Sequence, residues 1–197
     1  MLRFCLMLLA LASPEILQGQ AMSSKWSVGI GLGASRGTMY CNQGAASWSC
    51  GTRHQALLGN ADVSIGRAVR SNWIIGLEAS PFQQRVRLDP SNTSKLSSLS
   101  LGLFSRIHPV ERGPLYVQLA VAGSWFRLSE RNNGSLYTES GAGWKLSASL
   151  GGAWRIAGRL HGGPFVRFDH QVLGPAEVFF ERLRRRNVTV GWSLALH

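Results

Sequence analysis

The segment Trp26-Ser-Val-Gly-Ile-Gly-Leu-Gly-Ala34 decides the fold. In an extended chain, successive side chains point to opposite faces. One face here holds Trp26, Val28, Ile30, Leu32 and Ala34. The other holds Ser27, Gly29, Gly31 and Gly33. A helix would scatter these residues around its axis, whereas a strand sorts them. The far end of the chain repeats the arrangement, with Val188, Val190, Trp192, Leu194 and Leu196 set against Thr189, Gly191, Ser193, Ala195 and His197.

Six further segments alternate in the same way. Leu115–Trp125 and Trp144–Arg155 are the most regular. Leu99, Leu101 and Leu103 alternate with serine and glycine, and Trp73, Ile75, Leu77 and Ala79 head a fourth pattern. Leu57–Arg67 and Leu160–His170 are weaker examples. The spacing predicts eight strands of about 9–13 residues, near the ~9–11 that cross a bilayer at a tilt. No run long enough for a spanning helix follows the N-terminus, and a barrel needs none. The fold class expected is all-β, an eight-stranded antiparallel up-and-down transmembrane barrel.

The connections support this reading. Arg36–Gln55, Gln83–Ser97, Ser129–Gly141 and Gln171–Asn187 are long, while Val69–Asn72, His108–Pro114 and Ile156–Arg159 are shorter. Outer-membrane barrels place short turns in the periplasm and longer loops outside. With an even strand count, both chain ends lie on the short-turn side. Trp26, Trp73 and Trp154 then fall at the periplasmic rim, and Trp125 and Trp144 at the outer rim. Amphipathic rings prefer those two interfaces, so the five make a candidate aromatic girdle.

A soluble barrel of the lipocalin kind is the structural rival, with its apolar face turned inward. Volume argues against it. The interior of eight strands is narrow and is filled by side chains. The small residues suit that interior, and the bulky ones suit hydrocarbon outside. Charges on the small face then need partners, because unpaired buried ions are costly. Asp62, Glu78 and Arg167 fall near mid-depth and are expected to form a charge cluster across the lumen.

Residues 1–21 read as a secretory signal peptide, with Arg3 ahead of an apolar Phe4–Ala12 run and small Gly19 and Ala21 at the cut. The barrel is expected over residues 22–197. In an exported chain Cys41 and Cys50 read as a disulfide closing the first loop. The net charge is +11, and Lys25, Lys95 and Lys145 are the only lysines among 21 basic residues. Nucleic acid is the first partner such a balance suggests. Export and the lack of a basic helix argue against it. Lipopolysaccharide is the other available polyanion, and its phosphates suit arginine forks. Arg182, Arg184, Arg185 and Arg186, in the final long connection, are the candidate phosphate contacts.

No catalytic or phosphate-loop signature occurs, and no cofactor or metal site is expected. A lipid A-modifying enzyme is the alternative from another class, with His170 and a loop serine or Glu177 as its best residues. A narrow channel is a third. The opening strand WSVGIGLGAS and the closing strand VTVGWSLAL resemble the small outer-membrane barrel superfamily, the OmpA-like and OmpX/Ail-like barrels. The resemblance covers about Gln20 to His197. It implies an outer-membrane location and a structural or adhesive role, with a protein or host-surface partner met through the loops. The first loop, with Trp48, is the best candidate for that contact.

Overall fold

A computed structural model describes residues 26–43, 52–54, 58–87, 93–111, 113–132, 135–174 and 180–197. The proposed signal peptide lies outside the described residues, as do Trp48, Cys50 and Glu177 and the side chain of Cys41, and with them the proposed disulfide. Ten strands occur: β1 Trp26–Gln43, β2 Thr52–His54, β3 Leu58–Arg70, β4 Trp73–Arg87, β5 Thr93–Ile107, β6 Leu115–Asn132, β7 Ser135–Gly152, β8 Trp154–Ala157, β9 Leu160–Leu173 and β10 Phe180–Leu196.

Two of these are short continuations. β2 pairs with Thr38–Tyr40 of β1, just beyond the point where β3 begins opposite Ser35. β8 follows β7 after a break at Ala153, and both lie along β9. The barrel therefore has eight staves, all antiparallel, as the alternation predicts. β10 closes it by pairing with β9 on one side and β1 on the other.

The faces sort as expected through the middle of the wall. Leu32, Leu103, Leu119 and Val190 are each about 60% exposed. Ser64, Ser100, Ser124, Ser147 and Thr189 are buried inside. The narrow interior also demands glycine. Gly66 and Gly76 lie beneath the Phe104 ring, and a Cβ at either would sit 2.9 or 2.8 Å from its carbons. Small residues on two strands thus make room for one large residue on a third.

The short connections are tied together at one end. The His108 amide donates to the Asn72 carbonyl at 2.8 Å, and the Ala153 amide to the Pro114 carbonyl at 2.8 Å. The His197 amide donates to the Arg159 carbonyl at 3.1 Å. Gly158, at φ 52°, makes the tight β8–β9 turn, a left-handed conformation that suits glycine.

The long connections differ from the sequence expectation. Much of what reads as loop is strand: β1 runs on to Gln43, β4 to Arg87, β6 to Asn132, and β10 starts at Phe180. The alternation persists there, but its polarity inverts. Met39, Phe82, Leu96, Phe126, Leu128, Leu173 and Leu183 point inward and form a buried cluster. Arg36, Gln83 and Arg127 point outward. Above the bilayer the outside is water, so the apolar residues of the same strands move to the interior.

Placing a branched side chain under the aromatic ring should overpack the wall. Gly66→Val is expected to lower stability by about 1–3 kcal/mol, and Gly66→Val with Phe104→Ala to cost less than the sum of the two single changes. Urea titration in detergent micelles, followed by tryptophan fluorescence, measures both.

Candidate functional site

The middle of the lumen is a hydrogen-bonded ionic network. Asp62 comes from β3, Glu78 from β4, Arg106 from β5, Gln118 from β6, Lys145 from β7, and Arg167 and Asp169 from β9. Each stands on the inward parity of its strand, so closure of the barrel brings them together.

Arg167 is the centre. Its Nη1 lies 3.1 Å from Asp62 Oδ1 and its Nη2 lies 3.1 Å from Glu78 Oε2. Its Nε donates to Ser149 Oγ at 3.1 Å. The structure therefore places together the three residues that sequence reasoning grouped. Glu78 Oε2 also accepts from Gln118 Nε2 at 2.7 Å, and Gln118 Oε1 accepts from Arg106 Nε at 2.8 Å. Lys145 Nζ stands 3.7 Å from Glu78 Oε1 and 4.0 Å from Asp169 Oδ1, and it donates to Ser80 Oγ. Ser147 Oγ donates to Asp169 Oδ1 at 2.8 Å. Lys145, Arg106, Asp169 and Gln118 were not assigned to the cluster from sequence. Their inward parity was legible, but the register that makes them neighbours was not.

This network fills its space. Beside Arg167 and Asp62 a cavity of only about 20 Å³ remains, room for about one water. The arrangement is a plug of mutually satisfied ions, which a low-dielectric interior rewards only when every member is paired.

The arginines near the start of β10 do not act as one group. Arg182, Arg184 and Arg186 face outward and are exposed. Arg185 faces inward and is buried, with Nη1 donating to Gln171 Oε1 at 3.1 Å and its guanidinium 3.3 Å from the Phe82 ring centroid. This corrects the expected set of four phosphate contacts. The segment is a strand and not a loop, so alternation turns every second residue inside. The structure supplies a different fourth member. Arg36 of β1 faces outward, one diagonal step from Arg186, which pairs with Thr38.

Of the tryptophans, Trp26, Trp125 and Trp144 are exposed on the outer wall, and Trp192 is exposed at mid-wall, paired with Leu32 and Pro164. Trp73 is half-buried and donates its Nε1 hydrogen to Ser105 Oγ at 2.8 Å. Trp154 is half-buried over Gly152 and Gly163, whose missing side chains leave it room. His170 also faces outward, its ring 5.4 Å from that of Trp144. Its cross-strand neighbours are Leu146 and Arg186. A hydrolytic arrangement needs a hydroxyl nucleophile and an orienting carboxylate there, and neither occupies those positions.

Three histidines gather at the short-turn mouth. The rings of His161 and His197 meet edge to face at 4.8 Å. His197 lies beyond the last strand. Burial, with His161, Arg106 and His108 nearby, pushes it down to about 4. Its neutral form is thus the folded form.

The comparisons with known proteins agree on the architecture. Residues 51–175 match the family model described as the autotransporter β-domain. The crystal structure of Ail from Yersinia pestis, solved in complex with the heparin analogue sucrose octasulfate, superposes with a TM-score of 0.59 at 6% identity, covering 88% of this chain and 100% of that one. Neisserial surface protein A gives 0.54 at 15% identity, covering 88% and 97%. Among curated proteins none matches.

Two outcomes are expected. Arg167→Met leaves Asp62 and Glu78 without their main counter-ion, and should destabilise the folded barrel by about 3–5 kcal/mol, read by urea titration in micelles. His197 binds a proton more readily when unfolded, so stability should be lost as pH falls from about 6.5 through about 4. His197→Phe should flatten that acid limb in thermal melts taken across the same range.

Proposed function

The chain belongs to the autotransporter β-domain family and is a small barrel of the bacterial outer membrane; from that premise we propose that it is a surface-interaction protein, adhesin-like, whose outward arginines hold phosphate or sulfate groups at the cell surface. The barrel itself is the anchor. The observation that carries the reading is the outward quartet Arg36, Arg182, Arg184 and Arg186 flanking the β10–β1 seam.

Several features support it. Along β10 the three arginines recur at every second residue, about 7 Å apart. No carboxylate stands on the outward faces of β9, β10 or β1 among the described residues. The field there is positive and directed away from the wall. Planar guanidinium groups bind phosphate and sulfate in two-point contacts, which ammonium groups do not. The quartet sits where β10 and β1 leave their apolar stretch, at Val188 and Ala34, and so at the level of lipopolysaccharide phosphates. Ail, which shares the fold, was crystallised with a polysulfated ligand. The same guanidinium chemistry serves a sulfated glycan on a host surface.

Replacing the four arginines together by glutamine should weaken binding of the folded barrel to immobilised lipopolysaccharide by about tenfold or more, and should flatten its dependence on salt. Retention on immobilised heparin, measured in parallel, separates a host-glycan contact from an envelope contact. Unchanged retention on both supports, in a variant that still shows heat-dependent gel mobility, would remove the proposal.

A further inference from the structure

β4 is paired on one side only for half its length. Its ladder with β3 stops at Val63 and Ala79, whereas its ladder with β5 continues to Arg87 and Thr93. β3 stays paired with β1 as far as Leu58. Among the described residues the wall is therefore split between β3 and β4 above Ala79. Continued in register, Ala61 would face Pro81. Proline has no N–H to give to a ladder, so a free strand edge is the place that tolerates it.

At the split lies a shallow, open cleft of about 780 Å³. Leu32, Ala61, Pro81 and Trp125 line it from the outer face of the wall, and Phe82 and Phe126 from the inner face. Arg185 backs the Phe82 ring from inside, so the cleft has a fixed floor. Arg127 faces outward and is the one charged residue in the lining among the described residues.

We propose that this split is a binding groove for the acyl chain of a fatty-acid-like amphiphile, entering sideways from the membrane, with its anionic head group at Arg127. The walls are apolar, and an apolar chain laid between them regains the dispersion contacts that an empty cleft forfeits. Trp125 belongs to the outer girdle, so the mouth lies at the interface where an amphiphile already keeps its head group. Among the described lining residues Arg127 is a cation with no carboxylate beside it, which selects an anionic head. The groove is separate from the β10–β1 arginines, and its failure would leave the polyanion reading untouched.

Palmitate carrying a diazirine a few carbons from its carboxylate is the probe, at low mole fraction in phosphatidylcholine nanodiscs holding the full barrel. After photolysis, adducts are mapped by mass spectrometry. They should concentrate on Phe82, Leu99, Trp125 and Phe126 by about tenfold over Val28, Leu150 and Val190, which are exposed on the wall outside this cleft. Ala61→Phe, which fills the groove, should remove that excess; Ala61→Leu serves if the larger residue blocks folding. Arg127→Gln should abolish the preference for palmitate over its methyl ester. Heat-dependent gel mobility establishes that each variant is folded. Adducts spread evenly over the wall, or an excess unchanged in a folded Ala61 variant, would overturn the proposal.

Discussion

Hydrocarbon offers a polypeptide backbone no hydrogen-bonding partner. Every N–H and C=O within the bilayer must therefore be satisfied by the chain itself. Eight antiparallel staves, closed by β10 between β9 and β1, meet that demand up to Ala79, above which the β3–β4 ladder opens at the level of Trp125. Closure then fixes the rest. It makes one face of every strand an outer wall and the other a narrow core. The wall takes leucine, valine and tryptophan. The core takes glycine and serine, and where larger side chains enter, a neighbour gives way, as Gly66 and Gly76 do beneath Phe104.

The narrow core explains the lumen chemistry. Ions occupy it because they find counter-charges or hydrogen-bonding side chains on other strands. Arg167 touches β3, β4 and β7 at once through Asp62, Glu78 and Ser149. Such a network couples staves that are distant in sequence, and it leaves little space for water or solutes. Further out, the interior turns apolar around Phe126 and Leu128, and the wall turns polar. A single strand can thus serve two solvents by reversing which face is greasy along its length.

Much of this was legible in the sequence. Period-two alternation from Trp26 to Ala34, and seven times over, carries both the strand count and the sidedness, because lipid outside and a tight core inside select different residue sizes. The grouping of Asp62, Glu78 and Arg167 followed from their shared depth and parity. Strand ends were not legible. Above the membrane the polarity inverts, so Ser129–Asn132 and Arg182–Asn187 read as loop when only their hydropathy is considered. That misreading placed Arg185 outside. Register was equally hidden. Nothing local says that Lys145 will meet Glu78, that Arg36 will stand beside Arg186, or that the β3–β4 ladder will stop at Ala79.

A membrane barrel requires sidedness, which spin labels report residue by residue. Cysteines introduced singly at Leu101, Leu103, Leu119 and Val121, in a background lacking Cys41 and Cys50, carry a nitroxide in lipid bilayers. Ser100 and Gln118 serve as inward counterparts. Collision with oxygen, which dissolves in lipid, is compared with collision with a polar nickel complex. The outward sites should favour oxygen strongly, and the inward ones should be shielded from both. High nickel accessibility at the leucines, or oxygen contact that fails to alternate along the strand, would contradict a barrel with its bulky residues in the membrane.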